Sequence, residues 1–145
     1  MLEIISTRLP GNPKTRRRPQ VPNATAPDQI FQRALANNEI LLPKCDDCGA
    51  FHFFPRVLCP HCHGAAISWE RASGTGRVHT TTVVRQKPER GGDYNVCVIE
   101  LDEGVRMMSR VEGIAPADVV IDMPVTAFVG EAEGAPAVLF KPVEG

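Results

Sequence analysis

The sequence has no apolar run near the roughly 20 residues that a membrane-crossing helix needs. Residues 1–10 lack an apolar stretch followed by a small-residue cleavage site, so export is not expected and the reading is of a cytoplasmic protein. Aromatics are scarce, at 6% of 145 residues, with one Trp and one Tyr. An excess of either charge is missing too: 16 Lys and Arg against 17 Asp and Glu leave −1, which argues against a whole-molecule grip on nucleic acid. No Ser-His-Asp or Cys-His arrangement, Gly-x-Ser-x-Gly or phosphate loop is present, and Gly74-x-Gly76 is too short for a dinucleotide fingerprint. No catalytic residue is assigned. What is plentiful is turn chemistry. The 12 Gly and 13 Pro favour short strands joined by turns over a helical bundle.

The near-neutral total conceals a split. Residues 1–20 carry Arg8, Lys14, Arg16, Arg17 and Arg18 against Glu3 alone, while residues 21–145 carry 11 basic and 16 acidic side chains. Leu9 to Pro27 holds five prolines and almost no large apolar residue, so residues 1–26 read as a disordered basic arm. A solvated tail explains its basic run better than a patch for an acidic partner.

Asp28 to Asn38 looks helical, with Ile30, Phe31, Ala34 and Leu35 on one stripe. Pro27 and Asp28 suit its start and Asn37-Asn38 its stop. Ile40 to Lys44 reads as a short strand leading into the first cysteines. From Ile67 the pattern turns to period two. Strands are expected over 76–86, 94–101, 105–112, 123–131 and 137–143, with Asp102-Glu103-Gly104 as a hairpin turn. In the first of these, Val78, Thr80, Thr82 and Val84 are expected to share one face. Five short strands suggest a small barrel or sandwich, with Gly74 and Gly76 placed for a sharp bend. The division expected is an arm at 1–26, a helix and metal knuckles at 27–66, and the strands at 67–145.

The strongest signal is Cys45-x2-Cys48, then ten residues, then Cys59-x2-Cys62. Each Cys-x2-Cys turn aims two thiolates at one ion, and two such knuckles close a tetrahedron of sulfurs at about 2.3 Å. Gly49 and Gly64 follow the knuckles, where positive φ is often needed. Disulfides fit poorly without export, and a redox motif would be a single pair opening a helix. Zinc is favoured because nothing implies electron transfer, and rubredoxin-type iron, with the same donor geometry, stays open. His52, His61 and His63 could replace one thiolate, but hydrogen bonding around the ligands or exposure suits them better. Four thiolates leave no open position for water, so the role expected is structural. Phe51, Phe53 and Phe54 cluster in this segment and read equally as packing or as an exposed partner patch. Cys97, between Val96 and Val98, reads as a buried structural thiol.

The order of these features carries a resemblance. A helix and a Leu-Leu-x-x-Cys run lead to the knuckles. Trp69-x4-Gly74-x-Gly76 and the Leu101-Asp102-Glu103-Gly104 hairpin follow, with Asp122-Met123-Pro124-Val125 before a late strand. Over about residues 28–143 this resembles the OB-fold family once labelled domain of unknown function 35. The resemblance implies a mainly β fold: an N-terminal helix, a rubredoxin-like zinc ribbon and a five-stranded OB-fold barrel. It also implies an accessory subunit that binds or positions acyl-CoA in a hetero-oligomer. Partners in that family are larger enzymes: thiolase-like acyltransferases or aldolases, hydroxymethylglutaryl-CoA synthase, or hotdog-type hydratases. Arg85, Lys87 and Arg90 would then be candidates for CoA phosphates, weighed against a solvated charged loop beside Gly91-Gly92. A single-stranded nucleic-acid module is the rival. Residues 67–145 carry 8 basic and 12 acidic side chains and four aromatics, which runs against it.

Overall fold

A computed structural model describes residues 26–144, and the expected arm at 1–26 lies almost wholly outside them. Helix α1, Pro27–Ala36, begins where Pro27 gives up no useful N–H, with the Ala26 carbonyl accepting from Gln29 and Ile30. It stops at Asn37-Asn38, where Asn38 takes φ 61° and Glu39 N–H turns back to the Ala34 carbonyl. Its buried residues are Phe31, Ala34 and Leu35, three of the four expected, and it packs on strands at both ends of the chain.

Strand β1, Leu41–Cys45, pairs antiparallel with β2, Ile67–Arg71, with Pro43 opposite Trp69 and Cys45 opposite Ile67. Ile67–Arg71 therefore belongs by hydrogen bonding to the cysteine-bearing sheet, and the change to the second sheet comes after Arg71 rather than at 66/67. Period-two patterning reports a strand but not its partner, so the sequence pattern looks the same in either sheet.

The second sheet holds β3 (Thr75–Val84), β4 (Tyr94–Leu101), β5 (Arg106–Ser109), β6 (Pro124–Ala132) and β7 (Ala135–Pro142). Their order is β5-β4-β3-β6-β7. The sheet curls until its edges meet. Val111 bridges Phe140 in parallel, with Phe140 N–H on the Arg110 carbonyl at 3.1 Å and Glu112 N–H on the Phe140 carbonyl at 2.7 Å. The fold is mainly β, a five-stranded curled sheet consistent with an OB-fold. Val78, Ile99, Met107, Val111, Val125 and Phe140 fill it. Leu42 of β1 enters the same core, with Phe51 and Phe53 packed against it, so the ribbon and the sheet share apolar contacts.

One face assignment changes. Val78 pairs with Ile99 but Thr80 pairs with Val98, so His79 is an extra residue, a β-bulge. The bulge reverses the phase. Val78 is buried, Thr80 and Thr82 are exposed, and Thr81 lies opposite the buried Cys97. Val78 therefore does not share a face with Thr80, Thr82 and Val84, because strict alternation cannot see an inserted residue.

Gly76 is required by approach, not by φ. A Cβ there would lie 2.5 Å from the Glu100 backbone carbonyl oxygen, which cannot swing aside as a side chain can. Gly76→Ala is expected to lower stability by about 1–3 kcal/mol. Urea unfolding measures this, and a midpoint unchanged from wild type would show that the strands can separate there without loss.

Candidate metal centre

Strand β1 delivers Cys45 at its last position, and the chain turns at once. Gly49 N–H bonds the Cys45 carbonyl at 2.8 Å, with Gly49 at φ 74°. The second knuckle repeats the turn: His63 N–H bonds the Cys59 carbonyl at 2.9 Å. Here the left-handed residue is His63, at φ 63°, and not the expected Gly64. A Cβ on Gly64 would push aside the exposed Asp47 carboxylate, which is free to move, and would lie 3.3 Å from the Cys62 sulfur.

The four sulfurs converge within 4.8 Å of one another. Cys45 and Cys62 are 3.5 Å apart, and Cys48 and Cys59 are 3.7 Å apart. A tetrahedron with bonds of about 2.3 Å has edges of about 3.8 Å, so the donor set fits one four-coordinate ion. Backbone N–H groups point at the sulfurs: His61 N to Cys59 Sγ and Gly64 N to Cys62 Sγ, each at 3.4 Å. These donors favour thiolates. Burial opposes ionisation of Cys59, yet the N–H groups of Cys62 and His61 and the thiols of Cys48 and Cys45 outweigh it, bringing it down to about 6. For Cys62 the Gly64 N–H favours the thiolate, but the neighbouring thiol of Cys45, burial, and the other cysteines push it up to about 12. Four crowded thiols cannot all ionise without a cation, and a divalent ion resolves that conflict.

No histidine joins the four-sulfur group among the described residues. His61 and His63 are exposed, as expected, but His52 is buried at 3% exposure. The phenylalanines divide. Phe53 meets Phe31 edge-on at 5.4 Å and Phe51 lies under Lys44 at 5.3 Å, whereas Phe54, Val57 and Leu58 are exposed. Packing therefore holds for Phe51 and Phe53, while Phe54 is exposed beside Val57 and Leu58.

Cys97 is buried, its sulfur 3.3 Å from Thr81 Oγ1 and 3.2 Å from Asn95 Oδ1. Asn95 had no signal in the sequence. Its side chain donates to the Val111 carbonyl at 2.7 Å and accepts the Val111 N–H at 2.8 Å, extending the β4–β5 pairing where the backbone ladder has ended.

The three basic candidates separate. Arg85 is held by Asp93 at 2.5 Å, and Asp93 also accepts Gln86 N–H at 2.9 Å. That N–H, then Arg85, keeps the Asp93 carboxyl below its ordinary range. Lys87 is exposed, and its carbonyl caps the short 3₁₀ turn Pro88–Arg90. Arg90 alone of the three lines a groove, of about 380 Å³, together with Tyr94, Arg110 and Glu133. Tyr94 and Arg110 were missed because one opens β4 and the other lies just past the end of β5, and neither pattern hints at a shared groove. No helix among the described residues is long and apolar enough to cross a membrane.

Known proteins share this arrangement. The family model for the rubredoxin-like zinc ribbon domain of ChsH2 matches residues 33–68, and the model for the C-terminal OB-fold domain of ChsH2 matches residues 69–129. A DUF35 domain-containing scaffold protein of Methanocaldococcus jannaschii is 34% identical over 112 residues, covering 70% of this chain and 79% of that protein. The chain belongs to the DUF35 family. A probable enoyl-CoA hydratase alpha subunit of Thermomonospora curvata is 31% identical over 123 residues, which are 77% of this chain and 38% of that subunit. The chain thus spans about two fifths of that relative's length. The solved structure described as the Ltp2-ChsH2(DUF35) aldolase contains a chain that overlays this one with a TM-score of 0.70 at 28% identity, over 86% of this chain and 98% of that one. The zinc ribbon and the OB-fold are thus common ground.

Proposed function

We propose that this chain is the zinc-ribbon and OB-fold accessory subunit of an acyl-CoA-processing complex, joined to a larger hydratase or thiolase-like aldolase or acyltransferase. The observation that carries the reading is the overlay across 98% of a DUF35-aldolase chain. The hydratase alpha subunit supports the same class of partner. A four-thiolate centre is coordinatively closed, so the metal's task in this reading is to hold the ribbon, and the bond-making belongs to the partner. Affinity capture of the full chain from its native host should retain a larger acyl-CoA enzyme. Repeated capture of other proteins with no such enzyme would sink the proposal.

The metal in this reading is zinc, bound by Cys45, Cys48, Cys59 and Cys62. Elemental analysis of the purified chain should give one zinc per molecule, and a red, iron-loaded protein would overturn the assignment.

Contact with the phosphates of acyl-CoA is proposed for Arg85, Lys87 and Arg90, with Arg90 the principal residue because it shares the groove with Tyr94 and Arg110. Arg90→Ala should weaken binding of an acyl-CoA about tenfold, the effect of one charge-assisted contact. Arg85→Ala should do less, since Arg85 is already held by Asp93. Calorimetric titration tests the pair, and equal affinities for wild type and Arg90→Ala would remove the groove from the proposal.

A further inference from the structure

The bulge at His79 has a second effect. It turns Thr80, Thr82 and Val84 out of the barrel, onto the face that β4 and β5 also show to solvent. There Val84 stands opposite Tyr94, Thr82 opposite Val96, and Thr80 opposite Val98, which in turn stands opposite Met108. Directly opposed residues on antiparallel strands share a face, so these seven side chains form one block on the outside of the barrel. Their neighbours Asn95, Cys97, Ile99 and Met107 point inward and are buried, whereas Met108 is 73% exposed and Tyr94 39%.

An antiparallel sheet that faces water normally carries polar side chains there. This block has no charged member: five are Val, Met or Tyr and two are Thr. Charge returns at its ends. One end is the row Arg77, Glu100 and Arg106, with Arg106 Nε on Glu100 at 2.7 Å. At the other, Arg85 and Asp93 hold each other at 2.5 Å, just beyond Val84 and Tyr94. An uncharged centre between charged borders is the anatomy of a protein–protein interface.

Size and place decide what covers it. Four steps along β4 at about 3.4 Å, and three strands about 4.8 Å apart, make a block on the order of 250 Å², against about 800 Å² a side in a standard interface. Two copies of this chain pressed together on it alone would bury too little to stay paired, so the block is the centre of contact with a larger surface. A polyanion finds no cation on it. Through Tyr94 the block runs into the Arg90 groove. With acyl-CoA phosphates in that groove, the thioester at the far end of the pantetheine arm must reach an active site on another protein, and that protein must sit beside the groove.

We propose that this outer face of β3, β4 and β5 is where the larger acyl-CoA enzyme docks, through an uncharged, apolar patch of its own. The proposal rests on the accessory-subunit reading and adds the surface by which the two meet.

Affinity capture from the native host tests it, with the zinc-loaded full chain as bait in four forms: wild type, Met108→Glu, Thr82→Glu and Val57→Glu. All three residues are exposed, so the new carboxylates are solvated in the free chain, and thermal unfolding and metal content should match wild type. In the complex the first two would be buried without a partner, and recovery of the acyl-CoA enzyme should fall at least tenfold. Val57→Glu, in the loop between the knuckles and outside the block, should capture as wild type does. An enzyme retained equally by all four forms would overturn the docking face and leave the accessory-subunit reading standing. Equal loss with Val57→Glu would also overturn it, by showing that any added charge suffices. A wild-type bait that retains no acyl-CoA enzyme would remove the reading itself, and the proposal with it. A dimer of the isolated chain that Met108→Glu dissociates would assign the face to a second copy. A Met108 methyl resonance that moves when residues 1–25 are removed would assign it to that segment. Either result overturns the proposal.

Discussion

Cys59→Ser is expected to leave the protein without its metal and with the ribbon unfolded. Cys59 has no solvent exposure, its sulfur lies 3.7 Å from Cys48, and its backbone N–H holds the Gly64 carbonyl at 2.9 Å. A serine hydroxyl does not ionise in this range and is a poor ligand for a thiolate-preferring ion. The ribbon has little else to hold it. Its fully buried side chains include Leu42, Pro43, Cys45 and Cys59, two of them ligands. A structural zinc contributes about 10–16 kcal/mol in small zinc-binding peptides, and nothing in a core this small substitutes for that. The damage reaches the barrel, because Leu42, Phe51 and Phe53 leave its surface. At about 1.5–3 kcal/mol for each large apolar side chain, the melting temperature should fall by upwards of about 10 °C. Cys97→Ser is the contrast. A hydroxyl can still donate to Thr81 or Asn95, so metal content should stay complete and the stability change should be about 1 kcal/mol. A fully metallated Cys59→Ser with native ribbon resonances would refute the four-ligand centre.

The same centre sets a pH dependence. Metal binds thiolates, so each proton still held must be displaced. Cys59, down at about 6, is already ionised at neutral pH. Cys62, up at about 12, keeps its proton until the ion removes it. Acidification therefore favours metal loss throughout, and more steeply once pH falls through about 6 and Cys59 also takes a proton. Chelator stripping should accelerate below that point. A rate independent of pH would contradict the coupling.

The elements whose evidence is local were legible in the sequence. Two knuckles define a donor set wherever they occur, and the four sulfurs do converge. Helix α1 announced itself by one apolar stripe bounded by Pro27 and Asn37, and the 94–101 strand by its β-branched run. What escaped depends on contacts far apart in sequence. The partner of Ile67–Arg71 is set by β1, more than 20 residues earlier. The His79 bulge exists only in relation to β4, and nothing in Val78-His79-Thr80 marks it. The second knuckle was a different miss, for His63 stands fourth after Cys59 as Gly49 does after Cys45, and that register could have been read locally. The basic loop again turns on contacts. Arg85, Lys87 and Arg90 look equivalent as a run, but Asp93 takes Arg85 and the turn exposes Lys87, so Arg90 is left to meet Tyr94 and Arg110 across the groove.

Phe140→Ala should have the largest effect of any substitution in the barrel. Phe140 is fully buried in β7, and its ring lies in the core with Val78, Ile99, Val111 and Val125. Its cross-strand neighbour on β6 is Ala127, a small residue that leaves the space the ring occupies. Truncating a buried Phe removes its transfer free energy and leaves a cavity, about 3–5 kcal/mol together, against a total of about 5–15 kcal/mol for a domain. Phe140→Leu, which keeps more of the volume, should lose less than Phe140→Ala. The site also sits on the closure of the sheet. Phe140 N–H holds the Arg110 carbonyl at 3.1 Å, and Arg110 lines the Arg90 groove. If the proposed acyl-CoA contact holds, Phe140→Ala should weaken it while the four-cysteine site, built from the end of β1 and the loop after it, keeps its ion. Urea unfolding, metal content and calorimetric titration separate these effects. A loss below about 1 kcal/mol would mean that the backbone bonds between Val111 and Phe140 close the barrel without the ring. Loss of metal together with stability would mean that the ribbon depends on the barrel's far end, and the two sheets would then have to be treated as one cooperative unit.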